Sequence, residues 1–218
     1  MIIQSIYDQY NIPDHLQLHM LRVAGVCQMI CDHWSGTKID RNTLISAALL
    51  HDMGNLVKYT FDITTNTILQ WLDTKELKKQ QKIMIEKYGD DDHAANIAIC
   101  KELEVDKNII KLVDAVEFNN LSVFTLEKNI LEILLIYSDL RVWPFGILSI
   151  LWRLEEAFIR YKRIDRLWEG KAALKLWTKH ENIIFAHCSI LPTDIHDESI
   201  TPLLEHLRWF DIVTTLWT

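Results

Sequence analysis

Between residues 14 and 34, side chains that favour burial recur at steps of three and four: Leu16, Met20, Val23, Cys27, Ile30 and Trp34, with His19 on the same face. That spacing belongs to an α-helix with one buried stripe. It returns along most of the chain, and neither a βαβ alternation nor an internal repeat interrupts it. The expected fold is therefore all-α. With 218 residues, 49% of them hydrophobic and 24% charged, the chain has enough apolar surface for a large core. Only 6 glycines and 4 prolines are present, so no flexible linker or low-complexity stretch divides it.

Helices are expected at about 14–34, 40–53, 74–88, 106–118, 126–141 and 147–169, with another beginning at 91 or 92. Asp14, after Pro13, is a candidate cap for the first. Gly54 sits where a C-terminal glycine closes a helix. Gly89 stops one helix, and an aspartate at 91 or 92 caps the next. The stretch "FDITTNT" at 61–67 reads as an extended loop or a very short strand without a partner. Beyond Gly170 the pattern is less regular, with helical pieces near 171–188 and 199–215. The division expected is a core over residues 1–165 and a helical extension over 166–218 packed on it.

Two places break the apolar pattern. In "SAALLHDMGNLVKY" (46–59) a greasy helical run ends in His51 and Asp52. Asp139 sits between "LEILLIYS" and "LRVWPFGILSILW". Ionisable groups are costly to bury unless they are paired. Arg141 is two residues from Asp139 and faces elsewhere on a helix, so an arginine from another element is one possible partner. One divalent ion would satisfy these groups together. Imidazole nitrogens with carboxylate oxygens suit manganese, iron, cobalt, nickel or zinc. His51 and Asp52 can both reach it if they lie at a helix end.

The segments "PDHLQLHMLRVAGVC" around His19, "ISAALLHDMGNL" around His51-Asp52 and "LLIYSDLRVWPFGILSILWRLEEAFIRY" around Asp139 resemble the HD-domain superfamily of metal-dependent phosphohydrolases. The residues that carry the resemblance span about 140 positions, with 32 residues from His19 to His51 and 87 from Asp52 to Asp139. A second His-Asp pair, His196-Asp197, lies in a turn-like segment, where Asp197 is expected to cap the following helix. The resemblance implies an HD-domain helical bundle, with a C-terminal helical extension, in which His19, His51, Asp52 and Asp139 bind one divalent metal ion (Mn, Fe, Co, Ni, Zn or Mg). It places Tyr137 and Ser138 beside that site. Arg153 and Arg160 are expected to pair with Glu155, Glu156 or other acids.

The pattern also departs from the family. Some branches carry lysine three residues after the aspartate of the pair, and deoxynucleotidase-like branches carry glutamate there; this chain has Asn55. An amide can orient a water but takes no proton from it at neutral pH. Lys58 is a candidate phosphate contact or a solvated lysine. His93, alone in the middle of the chain, is a candidate phosphate contact or proton donor at a helix N-terminus, or a plain surface residue. Asp114 and Glu117 can share one helix face.

The function these residues favour is hydrolysis of a nucleotide or other small phosphate ester, as a phosphomonoesterase or nucleotidase. Asp52 or Asp139 would orient the water, and His93 or Lys58 would protonate the leaving oxygen. The alternative is an HD-fold module that binds a nucleotide without cleaving it, which Asn55 keeps open. Two-iron oxygen chemistry needs more ligands than the chain offers, and a purely structural role leaves the clustered ligands unexplained.

A net charge of −7 weighs against a general nucleic-acid or anionic-membrane binder. Cys27, Cys31, Cys100 and Cys188 form no C-x-x-C pair and read as reduced thiols. The first basic residue is Arg22, so no charged signal-peptide region is expected, and a cytoplasmic protein that does not enter a membrane follows. Trp177, Trp209 and Trp217 in the extension suit a core, a pocket cover or a homo-oligomer contact.

Overall fold

A computed structural model describes residues 1–62, 67–116, 130–161 and 170–214, without the side chains of 67, 157–161 and 170–173. Glu117, Trp217, the side chain of Arg160, most of "FDITTNT" and the expected helix start near 126 lie outside the described residues. The fold is all-α, with ten α-helices and one two-stranded hairpin among the described residues.

Three helices form the centre: α2 (Asp14–Asp32), α3 (Arg41–Leu50) and α7 (Ile130–Arg141), each packed on the other two. The predicted stripe Leu16, Met20, Val23, Cys27 and Ile30 is buried, but so are Leu21, Ala24 and Val26. α2 is therefore covered nearly all round, because α10 (Asp197–Arg208) lies on its other side. Gly25 permits that approach; a Cβ there would stand 2.6 Å from Ile200 Cγ2. Asp14 does not cap α2. Pro13 is the cap residue, its carbonyl accepting from the amides of Leu16 and Gln17, and Asp14 is the first helical residue. Its negative charge still suits the helix N-terminus.

Asp40 caps α3 by accepting from the Thr43 amide at 3.1 Å, and every residue from Leu44 to Leu50 is buried. The helix ends earlier than its apolar pattern suggests, and Gly54 is no left-handed C-terminal glycine: its φ is −87°. Its use is space. A Cβ on Gly54 would lie 2.7 Å from Ala95 Cβ and 2.8 Å from the Asn96 amide nitrogen. The Asn96 side chain accepts from the Gly54 amide at 2.5 Å. The loop after α3 is thus pressed onto the start of α5 (Asp92–Glu102), which Asp91 caps by accepting from the Ala94 amide at 2.7 Å. α4 (Thr74–Tyr88) is capped by Asp73, and α6 (Lys107–Asp114) by Asp106.

After α7, β1 (Val142–Trp143) and β2 (Gly146–Ile147) pair antiparallel, and α8 (Ile150–Tyr161) and α9 (Gly170–Phe185) follow. The short α1 (Ile3–Gln9), invisible to the spacing argument, docks near α10. α10 runs over 197–208, not 199–215; the chain then leaves the helix and bridges Asp211 to Ile2 and Thr214 to Val105. Asp197 is the first residue of α10 and not its cap. Its carboxylate accepts from the Ile147 amide at 3.2 Å and lies 3.9 Å from the Arg22 guanidinium. Trp177 is core, whereas Trp209 is exposed. Arg141 is buried and tied to the extension: it donates to Tyr137 Oη at 2.6 Å, to the carbonyls of Ile195 at 2.8 Å and Pro192 at 3.2 Å, and to that of Leu148.

Candidate metal centre

α2 contributes His19, the residues closing α3 contribute His51 and Asp52, and α7 contributes Asp139. His19 Nε2 lies 3.0 Å from Asp139 Oδ1 and 3.4 Å from Asp52 Oδ2. His51 Nε2 lies 3.6 Å from Asp139 Oδ1 and 3.9 Å from Asp52 Oδ2. The tightest group is His19, His51 and Asp139, whose ligand atoms all lie within 4.8 Å of one another. Asp52 flanks it on the side of the two imidazoles. Asp139 thus faces histidines, while Arg141 points into the extension.

His51 ends its helix with its ring turned back on it. Nδ1–H donates to the Ala48 carbonyl at 2.8 Å. That bond fixes the ring and directs Nε2 into the cluster. Nε2 is buried and makes no hydrogen bond. Burial alone would lower the pKa of His51, but the Asp52 and Asp139 carboxylates outweigh it and raise it to about 9. Burial works against ionising Asp139 too, yet the His19 and His51 imidazoles hold its carboxyl well below the usual range. Without a cation, a proton on His51 offsets the carboxylates. A divalent ion can replace it, and two imidazoles with carboxylates form a donor set that fits one.

The surroundings brace the carboxylates. Asn55 Nδ2 donates to Asp52 Oδ2 at 2.6 Å, so the residue that departs from the family pattern grips the carboxylate beside it. The Asn55 side-chain oxygen, Oδ1, is buried without a hydrogen bond. Tyr137 is buried with its hydroxyl donating to Glu181 at 2.7 Å, and Ser138 donates to the Leu134 carbonyl at 2.7 Å. Neither offers its hydroxyl to Asp139 in these bonds.

The other candidates meet acids. Lys58 Nζ lies 2.6 Å from Asp92 Oδ2. His93 Nε2 lies 3.0 Å from Asp114 Oδ1, both groups exposed. Arg153 pairs with Glu156 at 2.6 Å. One pair was not foreseen: His15 Nε2 lies 2.9 Å from Tyr59 Oη. His15 precedes His19 by four residues, one helical turn on the same face, and that spacing was the available signal.

Residues 17–121 match the HD domain family. The match takes in His19, His51 and Asp52; Asp139 lies beyond it in sequence and beside them in space. The chain belongs to the HD superfamily of metal-dependent phosphohydrolases. No curated protein and no solved structure matches it. Among the described residues no helix is long and apolar enough to cross a membrane.

Proposed function

We propose that the chain hydrolyses a small phosphate ester, a nucleotide being the first candidate, with one divalent ion held by His19, His51, Asp52 and Asp139. The observation that carries this reading is His51 Nε2: buried, without a hydrogen bond, and aimed at Asp139 and Asp52. In the metal-free chain a proton on this imidazole offsets the two carboxylates, and a divalent ion can take its place among the same donors. When bound, the ion would make water more acidic and draw charge from a phosphoryl oxygen.

The chain's own residues do the rest. Asp52, held by Asn55, orients the attacking water. Lys58 and His93, poised on Asp92 and Asp114, turn to the phosphate when it arrives at the start of α5, where the helix N-terminus favours an anion. The test is a panel of phosphomonoesters and nucleotides given to the full chain with each of Mn, Fe, Co, Ni, Zn and Mg. Turnover that is lost in His51→Ala and Asp139→Asn supports the reading. Full occupancy by a divalent ion with no turnover on any substrate overturns it.

A second reading is favoured by Asn55. An amide locked onto Asp52 takes no proton from water, which suits a module that holds a nucleotide and leaves it intact. Thermal stabilisation by a nucleotide recovered unchanged would select that reading.

A further inference from the structure

We propose that Arg141 is the positioning residue for Asp139, and that through it the C-terminal extension completes the metal centre; this rests on the reading that His19, His51, Asp52 and Asp139 hold one ion. Asp52 has a direct brace in the Asn55 amide. Asp139 meets the two imidazoles, so its place depends on the backbone that carries it. That backbone is the last turn of α7, which ends at Arg141. A helix's final carbonyls have no partners inside the helix, and the turn frays unless something outside holds it. A ligand carried there is no better placed than the turn itself.

Arg141 holds that turn from two sides. Its own carbonyl accepts from the Leu148 amide at 2.8 Å, and its Nε donates to the Leu148 carbonyl in return. The rest of the guanidinium reaches into the extension. Nη2 donates to the carbonyls of Ile195 at 2.8 Å and Pro192 at 3.2 Å. Nη1 donates to Tyr137 Oη at 2.6 Å. Tyr137 stands one turn back on the same face and donates to Glu181 of α9 at 2.7 Å, and that carboxylate lies 3.8 Å from Nη1. Burial pushes the Tyr137 phenol up, so its hydroxyl keeps the proton it donates.

Helical geometry turns this clamp into a positioning device. Tyr137 and Arg141, four apart, share the face that grips the extension. Asp139 lies midway between them in sequence and so on the opposite face, towards His19 and His51. Fixing the first face against α9 and the segment before α10 fixes the rotation at which Asp139 is offered to an ion. The planar guanidinium fork sets several directions at once; an ammonium on a flexible stem does not. The extension is thus a working part of the centre, acting from the far side of α7.

The test is the Mn²⁺ affinity of the full chain, measured by chelator competition well below the melting temperature. Arg141→Lys keeps the charge and loses the fork; it should weaken binding about 10-fold, the low end for partners that orient metal ligands. Tyr137→Phe should weaken it about 3-fold, a smaller loss because the guanidinium keeps its other partners, and it carries the test if Arg141→Lys does not fold. Ile6→Ala, a core truncation in α1, is the control: it should lower the melting temperature and leave affinity within about 2-fold, as expected of a site that does not share partners with the centre. A second readout is the visible spectrum of the Co²⁺-loaded chain, which reports ligand geometry. It should change in Tyr137→Phe and stay as in the wild type in Ile6→Ala. Unaltered affinity and spectrum in the Arg141 and Tyr137 variants, or an equal loss of affinity in Ile6→Ala, overturns the assignment and leaves the metal centre standing. A wild-type chain that binds no divalent ion overturns the metal reading, and this assignment falls with it.

Discussion

The side-chain amide of Asn55 lies 2.6 Å from Asp52 Oδ2, and that oxygen lies 3.4 Å from Nε2 of His19. The contact makes Asn55 a brace for a candidate ligand. Partners that orient metal ligands are typically worth about 10–100-fold in affinity. Asn55→Ala should therefore weaken divalent binding by about 10-fold. Competition against a chelator of known affinity measures this, and unchanged binding would show that Asp52 needs no brace.

The metal-free protein should lose stability towards alkaline pH. His51 is raised from its ordinary 6.5 to about 9. The stabilisation of its charged form is complete below about pH 6.5 and is lost as pH rises through about 9. Asp139 is held below its ordinary 3.8, so its contribution is present above that pH and lost below it. The chelator-treated chain should melt highest between these limits, about pH 4 to 6.5, and His51→Ala should flatten the alkaline fall. Melting scans across pH check it; an alkaline fall equal in His51→Ala would place the titration elsewhere.

Gly54→Ala should destabilise the chain through steric overlap. The new Cβ would meet the Ala95 side chain and the Asn96 and Asp92 backbone at 2.7–2.9 Å, so α5 must shift. Overpacking of this kind costs about 1–3 kcal/mol, read from urea unfolding. The same shift separates Asp92 from Lys58, so divalent binding should change less than turnover.

Arg141→Ala should cost about 3 kcal/mol or more, because it leaves the Glu181 carboxylate and the Pro192 and Ile195 carbonyls without their buried cation. Urea unfolding measures the loss. A near-neutral result would mean that α9 and α10 hold without it.

What could be read in advance follows periodicity. The stripe on α2 and the apolar run before His51 are patterns local to one helix, and they indicated helices there; the set His19, His51, Asp52 and Asp139, which the fold brings together, came from the resemblance to the HD superfamily. Contacts between distant segments were not legible. Gly54 looks like a helix terminator until α5 is seen against it. Asp197 looks like a cap until the β1–β2 hairpin arrives over it. Asn55, Lys58 and His93 could be named, but Asp52, Asp92 and Asp114 become their partners only through the fold. His15 passed as one histidine among nine because Tyr59 comes to it from another element.

The most direct measurement is calorimetric titration of Mn²⁺ into the chelator-stripped full chain and into His51→Ala. The account predicts one ion per chain for the first and binding weakened at least about 100-fold for the second, since an inner ligand is removed where even an outer partner is worth about 10–100-fold. Binding that is absent from the wild type, or unchanged by loss of the His51 imidazole, would contradict it.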